Sequence, residues 1–507
     1  MDGMKPQLDR RDAIFLALLL PAALTVYAWN LNAPFNHAWE TAGTMFGLHA
    51  RNFWRFGVLQ LEVSGPTLEP YADWRREIAV SHPPLVDLVL ALSFRLLGER
   101  EAAYRAPLVL FALLSLVALL ALLRSLLDRA AAWIAAALYA FTPMVAYYSI
   151  VDPHLAPTML FVFVELAAYR AWCATARRSW LAVLILAQVC ACATDWAGYY
   201  AAAVIAVHSL WARRAWKLAV ALPALTVACF LTYLLYVDAV GALDQLRSVA
   251  VQRTSWTSIE DQLRAEADEL ARHMTAALLA AAAAGLFLLA RRWRDERSRF
   301  IFALGLLGFD QLLFRPQVVG HDYLTYPLTA MPAAAAGLAA VELWRRPALR
   351  PVALLLAAGF VAQAQIVIRH RLAPAPAFDI RYATAVAIRE ATRPGESVLL
   401  ISRTPPYHVA YYADLHVGLY DPSMGTLEYS HVGPREKIPR RRLEEEVRAG
   451  LRPFDWIVTA HRDELPRVLP WLGAMADPDR DAILDFWCAE RAEGRVHRGF
   501  VFTRGTN

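Results

Sequence analysis

The chain has 507 residues, 58% of them hydrophobic, with mean hydropathy +0.33 and a formal net charge of +5. Soluble domains are about 45–50% apolar; here the excess is gathered into runs, most of them of about 17 to 22 residues, enough to cross ~30 Å of hydrocarbon. The positive charge lies in short links between those runs, with no basic stripe interleaved with aromatics, so it signals membrane topology rather than a nucleic-acid surface.

Lys5, Arg10 and Arg11 precede the first apolar run, and Asn30-Leu31-Asn32 follows it without a small-residue cleavage site, which reads as an uncleaved anchor. Apolar segments lie at 13–30, 84–97, 105–123, 131–150, 154–172, 180–194, 197–211, 216–236, 274–290, 300–314, 322–343 and 351–368. The links with Arg124/Arg129, Arg177/Arg178, Arg213/Arg214/Lys217, Arg291 to Arg299 and Arg345/Arg346/Arg350 are basic and belong with the N-terminus on the cytoplasmic side. These assignments agree only if 84–97 does not cross. It would span about 21 Å as a helix, and it opens at Pro83-Pro84. The expectation is a polytopic α-helical membrane protein with about 11 transmembrane helices. A large external loop covers 31–104 and holds 84–97 as a membrane-embedded helix; a second covers 237–273. Residues 1–373 form this module.

Residues 374–507 are charged and lack a spanning run. Arg381 to Gly395 reads as an amphipathic helix stopped by Pro394-Gly395, and 440–449 as a further helix. Strands are expected at 397–402 and 455–460, with weaker ones at 417–420 and 500–503. Alternating helix and strand implies a small C-terminal α/β domain with a partly parallel sheet. No GxGxxG or Walker pattern occurs, nor any internal repeat. Of Cys173, Cys190, Cys192, Cys229 and Cys488, four lie in apolar runs and no CxxC pair occurs, so neither a disulfide framework nor a zinc site is read.

This topology gathers His37, Glu40, an acidic loop ending at His82, Asp152-Pro153-His154, Asp195 and His321-Asp322-Tyr323 on the external face. Each has an ordinary reading. Glu40 suits a solvated loop, Asp152 and Asp195 suit helix N-caps, and Tyr147-Tyr148 and Tyr199-Tyr200 suit an interfacial belt. Ionisable groups at membrane-helix ends are costly unless they line a cavity or path, and their joint pattern points to a site at the outer interface.

The order of LHARNFWRFG (Leu48 to Gly57), SHPPL (Ser81 to Leu85), GEREAAYRAP (Gly98 to Pro107) and YYSIVDP (Tyr147 to Pro153) resembles family 39 of the C-type membrane glycosyltransferases. That group includes protein O-mannosyltransferases and lipid A aminoarabinose transferases. The resemblance covers residues 13–215. It implies transfer of a sugar from a polyprenyl phosphate to an acceptor on the external face, with inversion at the sugar carbon. Glu40 matches the family's general base, although Trp39-Glu40 stands where many relatives have Asp-Glu. His82 matches the position near the donor phosphate, and Asp152 an acid near the catalytic cavity.

Chemistry supports the same roles. A positioned carboxylate takes the proton of an acceptor hydroxyl. The leaving phosphate needs cations or hydrogen-bond donors, which His82, Arg51 and Arg253 offer. Asp152 would support positive charge at the sugar carbon, and His37, His321 and Tyr323 complete the expected substrate-binding set. No cofactor is required beyond the lipid-linked donor; Glu40 with Asp152 could in principle hold one divalent cation. The acceptor is a glycan, lipid or protein, and the location is a bacterial inner membrane. The rival readings are an O-antigen ligase or polymerase, a transporter and a ligand sensor. A ligase should carry a large late external loop, and a transporter two similar halves with broken midplane helices.

Overall fold

The structure is a computed structural model. It describes residues 8–56, 82–211, 216–240, 243–254, 258–308, 322–392, 397–401, 407–414, 416–421, 426–428, 436–437, 456–459, 484–490 and 495–503. The chain divides into two compact units. The first comprises Met1–Leu31, Val80–Val89 and Ala102–Leu372; the second comprises Asn32–Ala79, Leu90–Glu101 and Ala373–Asn507. The division at Leu372/Ala373 falls beside the boundary read from composition. Most of residues 31–104, expected as one external loop, however, group with the C-terminal region rather than with the helices around them in sequence.

The helices in chain order are α1 (Arg10–Tyr27), α2 (Thr41–Phe56), α3 (Leu85–Leu97), α4 (Glu101–Leu126), α5 (Arg129–Phe141), α6 (Pro143–Val151), α7 (Leu155–Thr175), α8 (Arg178–Cys192) and α9 (Ala197–Trp211). They continue with α10 (Trp216–Ala239), α11 (Leu243–Thr254), α12 (Ile259–Met274), α13 (Ala276–Arg291), α14 (Glu296–Ala303), α15 (Ala330–Arg345), α16 (Arg350–Arg371), α17 (Pro376–Ala391) and α18 (Tyr407–Ala413).

In the first unit, α1 is tied down at its start by charge. Asp9 caps the helix and forms a reciprocal capping box with Asp12. The fully buried Asp12 then accepts from Arg124 Nε of α4 at 3.1 Å and Trp133 Nε1 of α5 at 2.8 Å. At the other end Arg105, from the GEREAAYRAP stretch, donates to the carbonyl of Asn30 at 2.8 Å. That arginine satisfies backbone left over beyond α1. The segment 131–150, expected as one span, is two helices bent by 53°. Pro143 explains the break: it pushes Thr142 into extended conformation, φ −62° and ψ 131°. Helices α13 and α15 meet backbone to backbone, because Gly285 has no Cβ to strike the Ala335 carbonyl.

Among the described residues, five stretches are long and apolar enough to cross a membrane: α4, α7, α10, Tyr323–Arg345 and Pro347–Arg371. Two bent pairs raise this to seven. Helices also stand on the expected segments 13–30, 180–194 and 197–211. However, α8 and α9 have only 15 residues each, about 22 Å of rise, and α1 begins with three charged residues. Helix α3 has 13 residues and is not among the spanning stretches. Of the expected segment 300–314, the described part is a helix end followed by a 3₁₀ turn at Leu304–Gly308.

The second unit holds a seven-stranded sheet. Its strands are β1 (Ser397–Ile401), β2 (His416–Asp421), β3 (Thr426–Glu428), β4 (Glu436–Lys437), β5 (Trp456–Thr459), β6 (Leu484–Glu490) and β7 (Arg495–Thr503). The order is β4-β3-β2-β1-β5-β7-β6. The central β1 runs parallel to β2 and β5, and the outer pairs are antiparallel. Val398 and Leu399 of β1 are fully buried, as befits a strand covered on both faces. Helix α17 starts at Pro376, five residues before the sequence suggested, since proline is well suited to a first helical turn. The helix expected at 440–449 lies outside the described residues.

Replacing Gly285 with Val should force α13 from α15 and lower the unfolding midpoint of the detergent-solubilised protein. Overpacking costs about 1–3 kcal/mol where side chains can yield, and backbone yields less. An unchanged midpoint would refute the close helix approach.

Candidate functional site

The candidate residues fall into two clusters, one in each unit. In the first unit, three turns supply the side chains. Leu85 N–H donates to the Ala193 carbonyl at 3.1 Å, tying the start of α3 to the end of α8. The adjoining His82 puts Nδ1 2.8 Å from Asp195 Oδ1, in the α8–α9 turn. Pro153 ends α6, and Asp152 Oδ1 accepts the His154 amide at 2.9 Å. The His82 and His154 rings then stack at 4.1 Å and 20°. Asp152 Oδ1 also lies 3.5 Å from His154 Nδ1, an ion-pair distance.

Two stacked imidazoles thus share a site with carboxylates. Burial alone would lower His154, but Asp152, Asp195 and Asp87 outweigh it and hold the ring above its ordinary value. Burial pushes Asp195 up, yet the charges of His82 and His154 and the Trp196 amide leave it below its ordinary value. Asp87, in the first turn of α3, is fully buried, and neither oxygen has a hydrogen-bond partner among the described residues. Burial raises its carboxyl to about 7 against the pull of His154.

Tyr323 lies elsewhere in the unit, its ring 6.0 Å from Tyr148. Tyr148 packs on His273, whose Nε2 is 3.0 Å from Arg371 Nη2. Tyr147 and Tyr148 are 1% and 0% exposed, so they are internal packing residues and not the interfacial belt expected of them. His321 lies outside the described residues, as does the side chain of Arg253.

In the second unit Glu40 stands immediately before α2, after Trp39 in the left-handed region at φ 64°. Its Oε2 accepts from the His37 amide at 2.9 Å and faces His37 Nδ1 at 2.6 Å. A carboxylate only accepts, so Nδ1 carries the hydrogen. Both side chains are buried, Glu40 at 3% exposure. The N-terminus of α2 favours negative charge at this place. Arg51, expected near the phosphate, donates instead to the carbonyls of Tyr411 and Ala410 at 3.1 and 3.0 Å and pairs with Asp414. It closes the C-terminal end of α18.

Residues 81–237 match the family model described as dolichyl-phosphate-mannose-protein mannosyltransferase. No curated protein matches the chain. Among solved structures, ArnT from Cupriavidus metallidurans bound to undecaprenyl phosphate is similar at TM-score 0.64 and 15% identity, over 96% of this chain and 98% of that one. The archaeal oligosaccharyltransferase AglB from Archaeoglobus fulgidus, in complex with an inhibitory peptide and a dolichol-phosphate, is similar at 0.60 and 12%, over 98% and 75%. The arabinofuranosyltransferase AftD from Mycobacteria reaches 0.52 at 16% identity, over 99% of this chain and 40% of that one.

The chain has the fold of the C-type membrane glycosyltransferases. The resemblance drawn from its motifs is thereby borne out. Asp87 was not among the groups gathered from the sequence, and His154, gathered there beside Asp152, had been given no role. Asp87 had left a signal, a single acid inside an otherwise apolar run. The stacking of His154 on His82 left no sequence signal, because it depends on how distant turns meet.

The stability contributed by charged His154 is complete below the ordinary imidazole value of 6.5. It is lost as the pH rises through the raised value in the fold. Thermal unfolding followed from neutral to mildly alkaline pH should show this loss, and Asp195→Asn should move it to lower pH. Superimposable profiles would remove Asp195 from the electrostatics of the stack.

Proposed function

We propose that this protein is a membrane glycosyltransferase that moves a sugar from a polyprenyl-phosphate carrier to an acceptor at the extracytoplasmic face. The observation that carries this reading is the fold shared along 96% of the chain with a protein whose structure holds undecaprenyl phosphate. The mannosyltransferase family match over 81–237 supports it. The acceptor belongs to the glycans, lipids or proteins, and the membrane is a bacterial inner membrane. The same proposal takes in eleven crossings, a cytoplasmic N-terminus and an extracytoplasmic α/β domain.

The acceptor hydroxyl must lose its proton as its oxygen attacks the sugar carbon. Glu40 is assigned that task. Its Oε2 is fixed by His37, and a carboxylate whose geometry is already set needs little reorganisation at the moment of transfer. Attack opposite the phosphate inverts the sugar carbon in one displacement. The bond to the phosphate breaks with its electron pair, and the departing oxygen gains charge. His82 and His154 are assigned to that charge, since neighbouring carboxylates favour the protonated form of His154. A phosphate leaves without a proton, so one base suffices. Asp152 is assigned to positive charge developing at the sugar carbon, and Tyr323 to substrate contact. Arg51 is left out because its guanidinium is engaged at the end of α18.

The test is label transfer in proteoliposomes supplied with polyprenyl-phosphate hexoses and pentoses carrying a radiolabelled sugar. Wild type should release label from one donor class. Glu40→Gln should reduce release by about 10²- to 10⁴-fold, the usual contribution of a general base. Failure of folded wild type on every donor would overturn the reaction class. Wild-type rates in Glu40→Gln would overturn the assignment of the base.

A further inference from the structure

The segment from Asn32 to Glu40 forms no helix or strand beyond short turns, so its backbone polar groups need partners from elsewhere. Helices α17 and α18 supply them. Phe35 N–H donates to Tyr412 Oη at 2.8 Å, and the Phe35 carbonyl lies 2.7 Å from His408 Nε2. The Asn36 carbonyl accepts the Ala375 amide at 2.9 Å, and Asn36 Nδ2 donates to Asp379 Oδ1 at 2.8 Å. Beyond Glu40, Arg381 Nη1 donates to Thr41 Oγ1 at 2.8 Å. Glu40 is therefore bracketed by bonds from the C-terminal helices on both sides.

The ring of Phe35 fixes the same segment by packing. It meets Tyr411 edge-on at 5.5 Å, and it rests where Gly43 of α2 leaves room. Gly47, one turn later, makes room for Tyr411. His408 is 1% exposed. Burial pushes its imidazole down to about 4, and the nearby charge of Arg381 adds to this. The ring is accordingly neutral at physiological pH. Its Nε2–H donates to Phe35, since a carbonyl can only accept.

We infer that α17 and α18 position the Glu40 carboxylate, with His408 as the central positioning residue acting through the Phe35 carbonyl. The inference rests on the reading of Glu40 as the base. His408 itself does not touch substrate. Its contribution is to hold the turn in which His37 and Glu40 pair, so that the carboxylate meets the acceptor hydroxyl in one orientation. A small misplacement of a reacting group can cost up to about 10²-fold in rate.

The experiment compares full-length wild type, Glu40→Gln, His408→Ala, His408→Gln and Tyr412→Phe in the transfer assay. Val398→Ala, in the core of β1 and making none of these hydrogen bonds, serves as the destabilised control. His408→Ala and Tyr412→Phe should lower kcat by about 10- to 100-fold with the donor KM unchanged. His408→Gln, which keeps an N–H donor, should recover most of the loss. Amide hydrogen exchange over residues 33–45 should accelerate in His408→Ala and stay near wild type in Val398→Ala. An inactive Glu40→Gln beside folded His408→Ala and Tyr412→Phe with wild-type kcat and exchange would overturn the inference alone. An active Glu40→Gln would overturn the reading on which it rests. Should His408→Ala fail to fold, wild-type kcat in Tyr412→Phe and loss without rescue in His408→Gln would count against the positioning role.

Discussion

A short stretch of chain without regular structure carries the carboxylate on which the proposed chemistry depends, and its backbone must be satisfied away from water. That constraint organises the second unit. The His37–Glu40 pair closes one small turn, but a turn of four residues cannot hold its own direction against the entropy of the surrounding chain, about 1–2 kcal/mol for each residue fixed. The partners for Phe35, Asn36 and Thr41 all come from helices more than 300 residues later. The C-terminal helices are thus part of the structure that carries Glu40, and the sheet behind them gives those helices a base.

The first unit solves a different electrostatic problem. His82, His154, Asp152, Asp195 and Asp87 are buried or nearly so. Isolated buried charges are expensive, and pairing is what makes them tolerable. Here the pairing has a direction. The carboxylates around His154 favour its cationic form, and the imidazoles keep Asp195 ionised. Under the proposed reaction this would keep a protonated imidazole ready for the leaving phosphate. Asp87 stands apart, with no hydrogen-bond partner among the described residues, and its environment favours a proton.

Arginine shows how residue type alone misleads. Arg51 and Arg105 both lie in motif stretches, and Arg51 was expected near the donor phosphate. The structure gives each to carbonyl groups at a helix end, Arg105 beyond α1 and Arg51 at the close of α18. A guanidinium offers five donors in a fixed fork, which suits an unfinished helix end as well as a phosphate. The tyrosines of α6 make the same point. Aromatic pairs at a helix end look like an interfacial belt, yet Tyr147 and Tyr148 are internal.

Much of the architecture was legible in the chain. The apolar runs and strands near 397–402, 417–420, 455–460 and 500–503 follow from composition and local period, which act within a few residues. The count of crossings was less legible, because α8 and α9 have only 15 residues each and one segment bends at Thr142. The motif order pointed to the glycosyltransferase fold, and Glu40 and His37, three residues apart, could be read together from the sequence. What only the tertiary structure decided is pairing at a distance. His82 finds Asp195 across 113 residues, and Phe35 finds His408 across 373. Such contacts depend on which turns and helices pack together, and no local pattern of residues encodes that choice.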